Sequence, residues 1–312
     1  MIVPIVDLSG TRSLDQVAKD IAAACETIGM FYVVNHDIEE ALLRGALRQT
    51  ARLFDLPLAT KQQHHINRSH YMRGYFGHGA DKSDGVHDDI KEGFELALDL
   101  PETDSYVRDR LPFYGPNDWP SGLPRFKPVM QVFYDAMMRV GMKLLRAFAI
   151  GLGVEEGFFD ARFAKPVAQM RLLRYPPHRG LPARLIGAGE HTDFGYLTMI
   201  LQDQAGGLEI KDAGGAWAPV APLPGSLVVN IGDLMQRWTN DRYIATMHRV
   251  VNNRSRARHS IAFFMDPDFY ARIECLPTCA GPARPARYTP VTAGEYLLER
   301  IRETTNFCEC VA

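Results

Sequence analysis

The feature that most constrains the fold is a series of short apolar runs in the second half of the chain. Between Val167 and Pro267 these runs include AQMRLLRYPP, GYLTMILQD, GLEIKD, AWAPVAP, SLVVNIGD, IATMHRVVNN and HSIAFFMDP, separated by Gly, Pro or Asn. Short apolar runs broken by turn residues at this spacing are typical of antiparallel β structure. The pattern predicts a β-sandwich, a barrel or a jelly roll rather than a parallel sheet.

Helical periodicity dominates the residues that precede this region. Ser13 stands three positions before Gln16, which is a capping-box pattern, and apolar residues then recur at helical spacing until Gly29. Similar spacing predicts helices over residues 37–54 and 127–150. A short strand, MFYVVNH, follows the first helix, and the strand-like island FELALDL lies in an otherwise polar region where we expect long loops.

The order of these patterns predicts a single domain in three parts. Thr292 and Glu295 have the spacing of a helix cap and predict one more helix, AGEYLLERIRET, near the C-terminus. The parts are a helical N-terminal region with loops (1–165), a β core (166–270), and a C-terminal helix and tail (271–312).

Composition excludes several classes of protein. The 312 residues are 46% hydrophobic and 23% charged, with a formal net charge of −2, which is not the charge distribution of a nucleic-acid-binding protein. The start, MIVPIVDLSG, lacks the pattern of a signal peptide, and no apolar run has the length of a membrane span. An odd number of cysteines fits free thiols in a reducing compartment, so we expect a cytoplasmic protein. Cys308 and Cys310 could bind a soft metal, but a flexible tail is the simpler interpretation.

The segment GEHTDFGYLTMI contains two side chains that can bind a metal. His191 and Asp193 are two residues apart, so on a strand they would point to the same face. By itself such a pair is more often an ordinary surface turn. A third ligand is available in His248, which lies in another strand-like run. Two histidines and one carboxylate on one face of an octahedron leave three positions open, as expected for non-haem Fe(II) that binds a co-substrate and dioxygen.

A second pair of residues supplies a possible counter-charge. Fe(II) with one aspartate and two neutral histidines keeps a net positive charge and suits a dianionic chelating ligand. Arg258 and Ser260 lie ten and twelve residues beyond His248, on one face of the run RHSIAFF. Arginine binds carboxylates through paired hydrogen bonds, and a neighbouring hydroxyl adds another. In isolation, Arg258 would be interpreted as a solvated residue of the basic segment NNRSRARHS.

The motifs taken together resemble a known family. HTDFGYLTMI, SLVVNIGDLMQRWTND, MHRVVNN and RHSIAFF occur in the order found in the iron(II)- and 2-oxoglutarate-dependent oxygenases of the isopenicillin N synthase-like group. VPIVDLS, GMFYVVNHDI, RGY and KEGFEL extend the resemblance over nearly the whole chain. The resemblance implies an α+β fold with a mainly β core, a double-stranded β-helix (jelly roll) flanked by N-terminal and C-terminal helices.

The resemblance also implies roles for individual residues. The iron ligands would be His191, Asp193 and His248, and 2-oxoglutarate would be held by Arg258, Ser260 and Tyr175. Leu173 stands where the family often has asparagine, which makes the bacterial MRLLR type of strand, including that of ethylene-forming enzymes, the closer likeness. The implied reaction consumes O2 and 2-oxoglutarate, releases succinate and CO2, and oxidises a small molecule, most simply by hydroxylation, with desaturation and ring closure as variants.

The pocket for that small molecule is expected near the polar loops of the first half of the chain and the end of the RHSIAFF run. Its candidate residues are Arg73, Tyr75, Glu92, Phe94, Arg171, Phe263 and Phe264. The charged members suit an amino-acid-like or polar substrate and the aromatic ones a flatter substrate, and both possibilities stay open. The sequence indicates no oligomeric state.

Three alternatives remain beside the principal interpretation. Some members of the group keep the metal triad and the Arg-x-Ser pair but do not use 2-oxoglutarate. Isopenicillin N synthase, which catalyses a ring closure, is one of them. A cupin-like hydrolase or isomerase with zinc or manganese would share the jelly roll. A non-catalytic binding protein on the same scaffold is the third, although it would not need a metal with three open positions.

Overall fold

The structure is a computed structural model that describes residues 2–84, 88–177, 186–252 and 255–304. The helices are α1 (Leu14–Thr27), α2 (Glu40–Phe54), α3 (Leu58–Gln62), α4 (Ser105–Arg108), α5 (Phe126–Gly151), α6 (Asp233–Trp238) and α7 (Ala293–Thr304). The strands are β1 (Ile5–Asp7), β2 (Met30–Val34), β3 (Gly74–Phe76), β4 (Glu92–Ala97), β5 (Pro166–Tyr175), β6 (Ile186–His191), β7 (Leu197–Gln202), β8 (Leu208–Lys211), β9 (Trp217–Pro219), β10 (Leu227–Ile231), β11 (His248–Val251), β12 (Arg258–Asp268), β13 (Arg272–Ile273) and β14 (Val291–Thr292). Among the helices of these ranges, none has the length and apolar character needed to cross a bilayer. Cys308 and Cys310 lie outside the described residues.

Twelve of the strands form two sheets that enclose a cavity, and β13 and β14 pair as a separate two-stranded sheet. The larger sheet has the order β1-β2-β10-β7-β12-β5-β4-β3, and the smaller has the order β6-β11-β8-β9. Pairing is antiparallel except between β1 and β2. Side chains from β5, β7 and β12 of the larger sheet and from β6, β8 and β11 of the smaller one line a common cavity. This arrangement is the predicted jelly roll.

Strand β12 is the element that positions most of the site. It pairs with β5 on one side, where Arg258 lies opposite Tyr175, and with β7 on the other. Because successive side chains of a strand point to opposite faces, alternate residues of β12 face the cavity. Ser260, Ala262 and Phe264 line it. Phe263 points the other way.

Helices α1, α2 and α5 cover the opposite face of the larger sheet. Helix α5 packs against α1, α2 and β12, and its buried face carries the methionine and aromatic residues whose spacing predicted it. The contact is close at Gly141, where a β-carbon would lie 2.1 Å from the sulfur of Met265 in β12. A larger residue at this point would require the Met265 side chain to move.

The four predicted helices are confirmed, with one shifted boundary, but several short elements were not predicted: the strands β1, β3, β6, β13 and β14 and the helices α3, α4 and α6. Ser13 caps α1 with both hydrogen bonds of the capping box. Helix α2 begins at Glu40 rather than residue 37, because Asp37 has a φ of 64° that a right-handed helix does not permit. In the region expected to be loops, β3 was not predicted; it pairs with β4 at the edge of the larger sheet.

Candidate active site

Three side chains able to bind a metal meet at the ends of two neighbouring strands. His191 is the last residue of β6 and lies opposite His248, the first residue of β11. Asp193 follows two residues later, and its Oδ1 is 3.8 Å from Nε2 of each histidine. The three ligand atoms lie within 4.8 Å of one another. Two atoms 3.8 Å apart can both bond one ion at about 2.0–2.2 Å.

Backbone carbonyls orient both imidazole rings toward this point. Nδ1 of His191 donates to the carbonyl of Gly189 at 2.8 Å, and Nδ1 of His248 donates to the carbonyl of Thr246 at 2.9 Å. A proton on Nδ1 leaves Nε2 as the free lone pair. Both rings therefore present the nitrogen that faces Asp193 in the form that binds a metal.

The Asp193 carboxylate is held by a loop, not by a strand. The expectation that His191 and Asp193 share one strand face is wrong, because β6 ends at His191. The carbonyl of Asp193 instead accepts a hydrogen bond from the amide of Asp233 at 2.8 Å. Its Oδ2 accepts hydrogen bonds from the Thr198 hydroxyl and from Asn230 Nδ2, the latter at 2.6 Å. With Oδ2 occupied in this way, Oδ1 faces the two histidines.

The protonation states suit metal binding. Burial, followed by the neighbouring His248, lowers the pKa of His191 to about 4. Burial opposes ionisation of Asp193, but the two histidines and the hydrogen bonds from Thr198 and Asn230 outweigh it and lower the pKa. At neutral pH the site therefore offers a neutral imidazole and an ionised carboxylate, which is the combination a divalent metal requires.

A buried arginine lies in the cavity that opens from this triad. We call this the inner cavity; it is lined by Tyr175, His191, Asp193, His248, Arg258 and Ser260 together with apolar side chains. The Arg258 guanidinium donates to Ser260 Oγ at 2.7 Å and lies 4.9 Å from the centroid of the Tyr175 ring. Among the described residues, Arg258 Nε and Gln202 Nε2 are buried donors without an acceptor. Unused buried donors beside a fixed cation suit an anionic ligand.

A second cavity opens from the other side of the triad. We call this the outer cavity; it is lined by Asp81, Arg171, Phe194, Phe264, Asp266 and Leu297, and also by His191 and Asp193. Leu297 belongs to α7, so the C-terminal helix forms part of its wall. A molecule bound here would lie next to a metal held by the triad, whereas the inner cavity runs toward Arg258.

Comparisons with known proteins decide the family. Residues 3–122 match the family described as the N-terminal region of the non-haem dioxygenase in morphine synthesis, and residues 166–267 match the 2OG-Fe(II) oxygenase superfamily. The chain is 36% identical over 307 residues to the 2-oxoglutarate-Fe(II) type oxidoreductase hxnY of Emericella nidulans, covering 93% of this chain and 86% of that protein. The chain belongs to the iron(II)- and 2-oxoglutarate-dependent oxygenases.

Two further similarities extend over the whole oxygenase. Homoarginine-6-hydroxylase 2-ODD-233 of Oryza sativa subsp. japonica is 31% identical, over 98% of this chain and 97% of that protein. The crystal structure of a full-length Neurospora crassa protein in complex with alpha-KG and thymine superposes with a TM-score of 0.84 at 29% identity, over 97% of each chain. The predicted family, fold and activity are confirmed: this is a 2-oxoglutarate-dependent dioxygenase with Fe(II) as cofactor.

The oxygenase brings together only some of the residues expected in the substrate pocket. Arg171 and Phe264 line both cavities. Arg73 does not: it is buried, and its guanidinium donates to the carbonyls of Tyr71 and Phe113, each at 2.6 Å. Arg73 therefore stabilises the chain around β3, and its predicted place in the pocket is wrong.

Four other predicted pocket residues face the helical layer instead. The Tyr75 hydroxyl donates to Glu92 Oε2 at 2.9 Å, and Lys61 of α3 donates to the same oxygen at 2.6 Å. Phe94 packs edge-on against Phe126 of α5, with 6.1 Å between ring centroids, and Phe263 packs against Tyr134 of the same helix at 5.0 Å. The prediction is wrong for Tyr75, Glu92, Phe94 and Phe263, because strand alternation turns them away from the cavities.

Sequence reasoning missed a buried group of charges on the wall of the outer cavity. Lys91 lies 3.0 Å from Asp81 Oδ2 and 2.7 Å from Asp89 Oδ2. Arg171 contacts Asp81 at 3.2 Å and also pairs with Glu95. The presence of Lys91 and Glu95 in the otherwise strand-like segment KEGFEL was the only sequence signal for this group.

Asp266 is a further missed residue of the outer cavity. It lies on the same face of β12 as Ser260 and Phe264, so the alternation of the strand could have identified it. Its Oδ1 accepts a hydrogen bond from the amide of Tyr196, and burial raises the pKa of the carboxyl to about 7. Asp266 is therefore partly protonated at neutral pH.

Proposed function

We propose how this dioxygenase holds its cofactor and its co-substrate. The Fe(II) ligands are His191, Asp193 and His248. The residues that bind 2-oxoglutarate are Arg258, Ser260 and Tyr175. The observation that carries the proposal is the buried Arg258 guanidinium, which lines the same cavity as the triad and keeps a free donor. A dicarboxylate chelated to iron at one end would meet this fixed cation at its other end.

The charges of the site support this assignment. Fe(II), two neutral imidazoles and one carboxylate leave one net positive charge. A bound 2-oxoglutarate dianion reverses it to one net negative charge, and Arg258 balances that charge. Arg258 has no carboxylate partner of its own among the described ion pairs. A buried cation without a protein counter-ion is costly unless a ligand supplies one.

The reaction proposed is oxidation of a small molecule, most simply by hydroxylation, with release of succinate and CO2. When bound, Fe(II) supplies the centre at which dioxygen and 2-oxoglutarate react to oxidise a C–H bond. The protein residues provide the conditions for that chemistry. Thr198 and Asn230 fix the orientation of Asp193, and Arg258 fixes the far end of the co-substrate. Apolar side chains form much of the remaining inner wall and help to exclude water; they include Leu173, Ala188, Ile200, Leu208 and Val250, beside the charged Lys91 and Arg171.

The relatives do not agree on one substrate. Two relatives are named as homoarginine 6-hydroxylases, whereas the similar Neurospora crassa protein was crystallised with thymine. These names support a small polar molecule as substrate of this chain and do not select between the two. The outer cavity is where we place it, because among the described residues this cavity is lined by His191 and Asp193 but not by Arg258.

We further propose that residues 1–312 are one oxygenase domain that works in the cytoplasm. The two matched family regions, 3–122 and 166–267, and a continuous cluster of buried apolar residues that includes members of both support the single domain. Cys25, Cys275 and Cys279 are free thiols, which favours a reducing compartment.

Anaerobic titration of the apoprotein tests the assignment. We expect Fe(II) followed by 2-oxoglutarate to produce the weak visible charge-transfer band of the chelate. His191→Ala should bind no Fe(II), because it removes a ligand. Arg258→Gln should still bind Fe(II) but require about 10–100 times more 2-oxoglutarate for the same band, since a charge-assisted carboxylate pair is lost.

Arg146→Gln is the matched control. Arg146 lies on the outside of α5, where it pairs with Asp160 at 3.5 Å, and it lines neither cavity. It should behave like the unsubstituted protein. Undiminished Fe(II) binding in His191→Ala would contradict the triad. If Fe(II) binds to the unsubstituted protein and no band forms, the enzyme belongs with the members of the group that do not use 2-oxoglutarate.

A further inference from the structure

The two cavities differ in the polar atoms that they leave without a partner. Arg258, which lines the inner cavity, keeps a buried donor, Nε, without an acceptor. Asp81, which lines the outer cavity, keeps a buried acceptor: among the described residues its Oδ1 accepts no hydrogen bond. Buried polar atoms are seldom left without a partner, so each of these atoms indicates the polarity of the ligand that pairs with it.

Asp81 is the acceptor that reaches the outer cavity. Its side chain lines the cavity together with His191 and Asp193, and it is only 5% exposed. The other carboxylate oxygen, Oδ2, is occupied by Lys91 at 3.0 Å and by Arg171 at 3.2 Å. The position of Asp81 is therefore fixed by two cations, while its buried Oδ1 has no hydrogen-bond donor among the described residues.

Of the two neighbouring cations, Lys91 has no capacity left for an anionic ligand. Lys91 Nζ contacts Asp81, Asp89 and Ser83, which matches its three protons. Arg171 donates through Nε to Glu95 and through Nη1 to Asp81, and its guanidinium lies 5.3 Å from the centroid of the Phe76 ring and 5.6 Å from that of Phe264. Both cations are thus paired with carboxylates of this group, although Arg171 keeps N–H groups beyond these two contacts.

The balance of charge around the outer cavity also favours a positively charged ligand. Three carboxyl groups, Asp81, Asp89 and Glu95, face two cations, Lys91 and Arg171. A fourth carboxyl group, Asp266, lines the same cavity. Burial raises the pKa of both Glu95 and Asp266, whereas at Asp81 the opposing effect of burial is outweighed by Lys91 and Arg171, which lower its pKa and keep it ionised. A ligand that brings a positive charge would reduce this excess.

We propose that the Asp81 carboxylate binds a protonated nitrogen group of the substrate, an ammonium, amidinium or guanidinium, and that the enzyme oxidises a small organic cation. This inference rests on the proposed function, because it assigns the outer cavity to the substrate. Four apolar side chains, those of Phe194, Phe264, Leu297 and Ile301, form part of the wall of that cavity beside its polar ones. The cation therefore carries a hydrocarbon portion, and a C–H bond of that portion lies toward the triad.

Binding of matched pairs of cations and neutral analogues tests the proposal. The probes are butylguanidine, benzamidine and hexylamine, each compared with butylurea, benzamide and hexanol. They are titrated anaerobically into the enzyme loaded with Fe(II) and 2-oxoglutarate, and binding is followed by calorimetry and by the change in the chelate band. We expect at least one cation to bind at least about tenfold more tightly than its neutral partner, since a charge-assisted hydrogen bond is about twice as strong as a neutral one.

Two aspartate-to-asparagine variants locate the effect. Asp81→Asn keeps the shape of the side chain but removes its charge, and it should abolish the preference for the cation. Asp20→Asn is the control, because Asp20 lies on α1 in a partly exposed pair with Arg12 and lines neither cavity. This variant should keep the preference.

The possible results separate the two proposals. Equal binding of cations and neutral analogues, binding of no cation, or an unchanged preference in Asp81→Asn would each overturn the inference. The comparison in the unsubstituted enzyme does not depend on the folding of any variant. If the chelate band forms normally in the absence of these probes, the assignment of iron and 2-oxoglutarate stands whichever result is obtained.

Discussion

Asn230 donates a hydrogen bond of 2.6 Å to Asp193 Oδ2, so the two oxygens of the carboxylate have different partners. Oδ2 is occupied by Asn230 and by the Thr198 hydroxyl, whereas Oδ1 faces the two histidines. Asn230 lies on β10 and Thr198 on β7, which are neighbours in the larger sheet. The sheet therefore fixes the orientation of a ligand that itself belongs to a loop.

Asn230→Leu and Thr198→Val are expected to weaken Fe(II) binding about 10–100-fold, because groups that orient a metal ligand typically contribute that much to affinity. Fe(II) titration of the apoprotein measures the change. Thr27→Val is the control, since the Thr27 hydroxyl donates only to the backbone of its own helix. Unchanged affinity in the double variant would show that Asp193 holds its orientation without these two contacts.

Gly187→Ala should lower the affinity for 2-oxoglutarate without removing a ligand. A β-carbon at position 187 would lie 2.0 Å from Asn252 Oδ1 and 2.5 Å from Cδ1 of Tyr175, so the tyrosine ring must move away from its place beside Arg258. Overpacking of this kind costs about 1–3 kcal/mol. The chelate band should therefore need several times more co-substrate, roughly fivefold or more for each kcal/mol lost in binding.

Gly10→Ala provides the comparison for this prediction. A β-carbon at Gly10 would meet no atom within 4 Å. Its 2-oxoglutarate titration should match that of the unsubstituted protein. If Gly187→Ala gave the same curve as Gly10→Ala, Tyr175 would have no part in holding the co-substrate.

The parts of the fold that sequence predicted correctly are those set by local periodicity. The capping residue Ser13, the apolar face of α5 and the short runs of the β core all appear in the expected places. The family motifs likewise identified the chain's relatives. The loop that holds Asp193 was misread because its conformation depends on Asp233, which lies far along the chain.

The prediction of the pocket residues was wrong where their orientation depends on pairing between strands that lie far apart in the sequence. Tyr75 and Glu92 lie on β3 and β4, and which face of the sheet they occupy is decided by the register with β5. No local pattern fixes that register. The error at Phe263 was avoidable, because the alternation that starts at Ser260 assigns Phe264 to the cavity and Phe263 to the helical layer.

Phe263→Ala and Phe264→Ala should therefore have different effects. Phe263 is fully buried against Tyr134, so its truncation should cost about 3–5 kcal/mol of unfolding free energy. Phe264 is only partly buried and lines both cavities, so its truncation should cost less and should change ligand binding instead. Denaturant unfolding of the two variants measures this, and similar losses of stability would contradict the assigned faces.

Asp266→Asn should change how stability depends on pH. Burial raises the pKa of Asp266 from 3.8 to about 7, so the folded state keeps a proton that the unfolded state has lost. Between about pH 4 and about pH 7 this group therefore destabilises the fold increasingly as the pH rises, and the effect is constant above that window. The asparagine variant carries no such penalty, and its amide oxygen can still accept the Tyr196 hydrogen bond. Unfolding is measured on the apoproteins in the presence of a chelator. The free energy of unfolding of Asp266→Asn should exceed that of the unsubstituted protein by an amount that grows between about pH 4 and about pH 7, to about 1–4 kcal/mol. An advantage that stays constant or declines with rising pH would mean that Asp266 is already ionised in the fold.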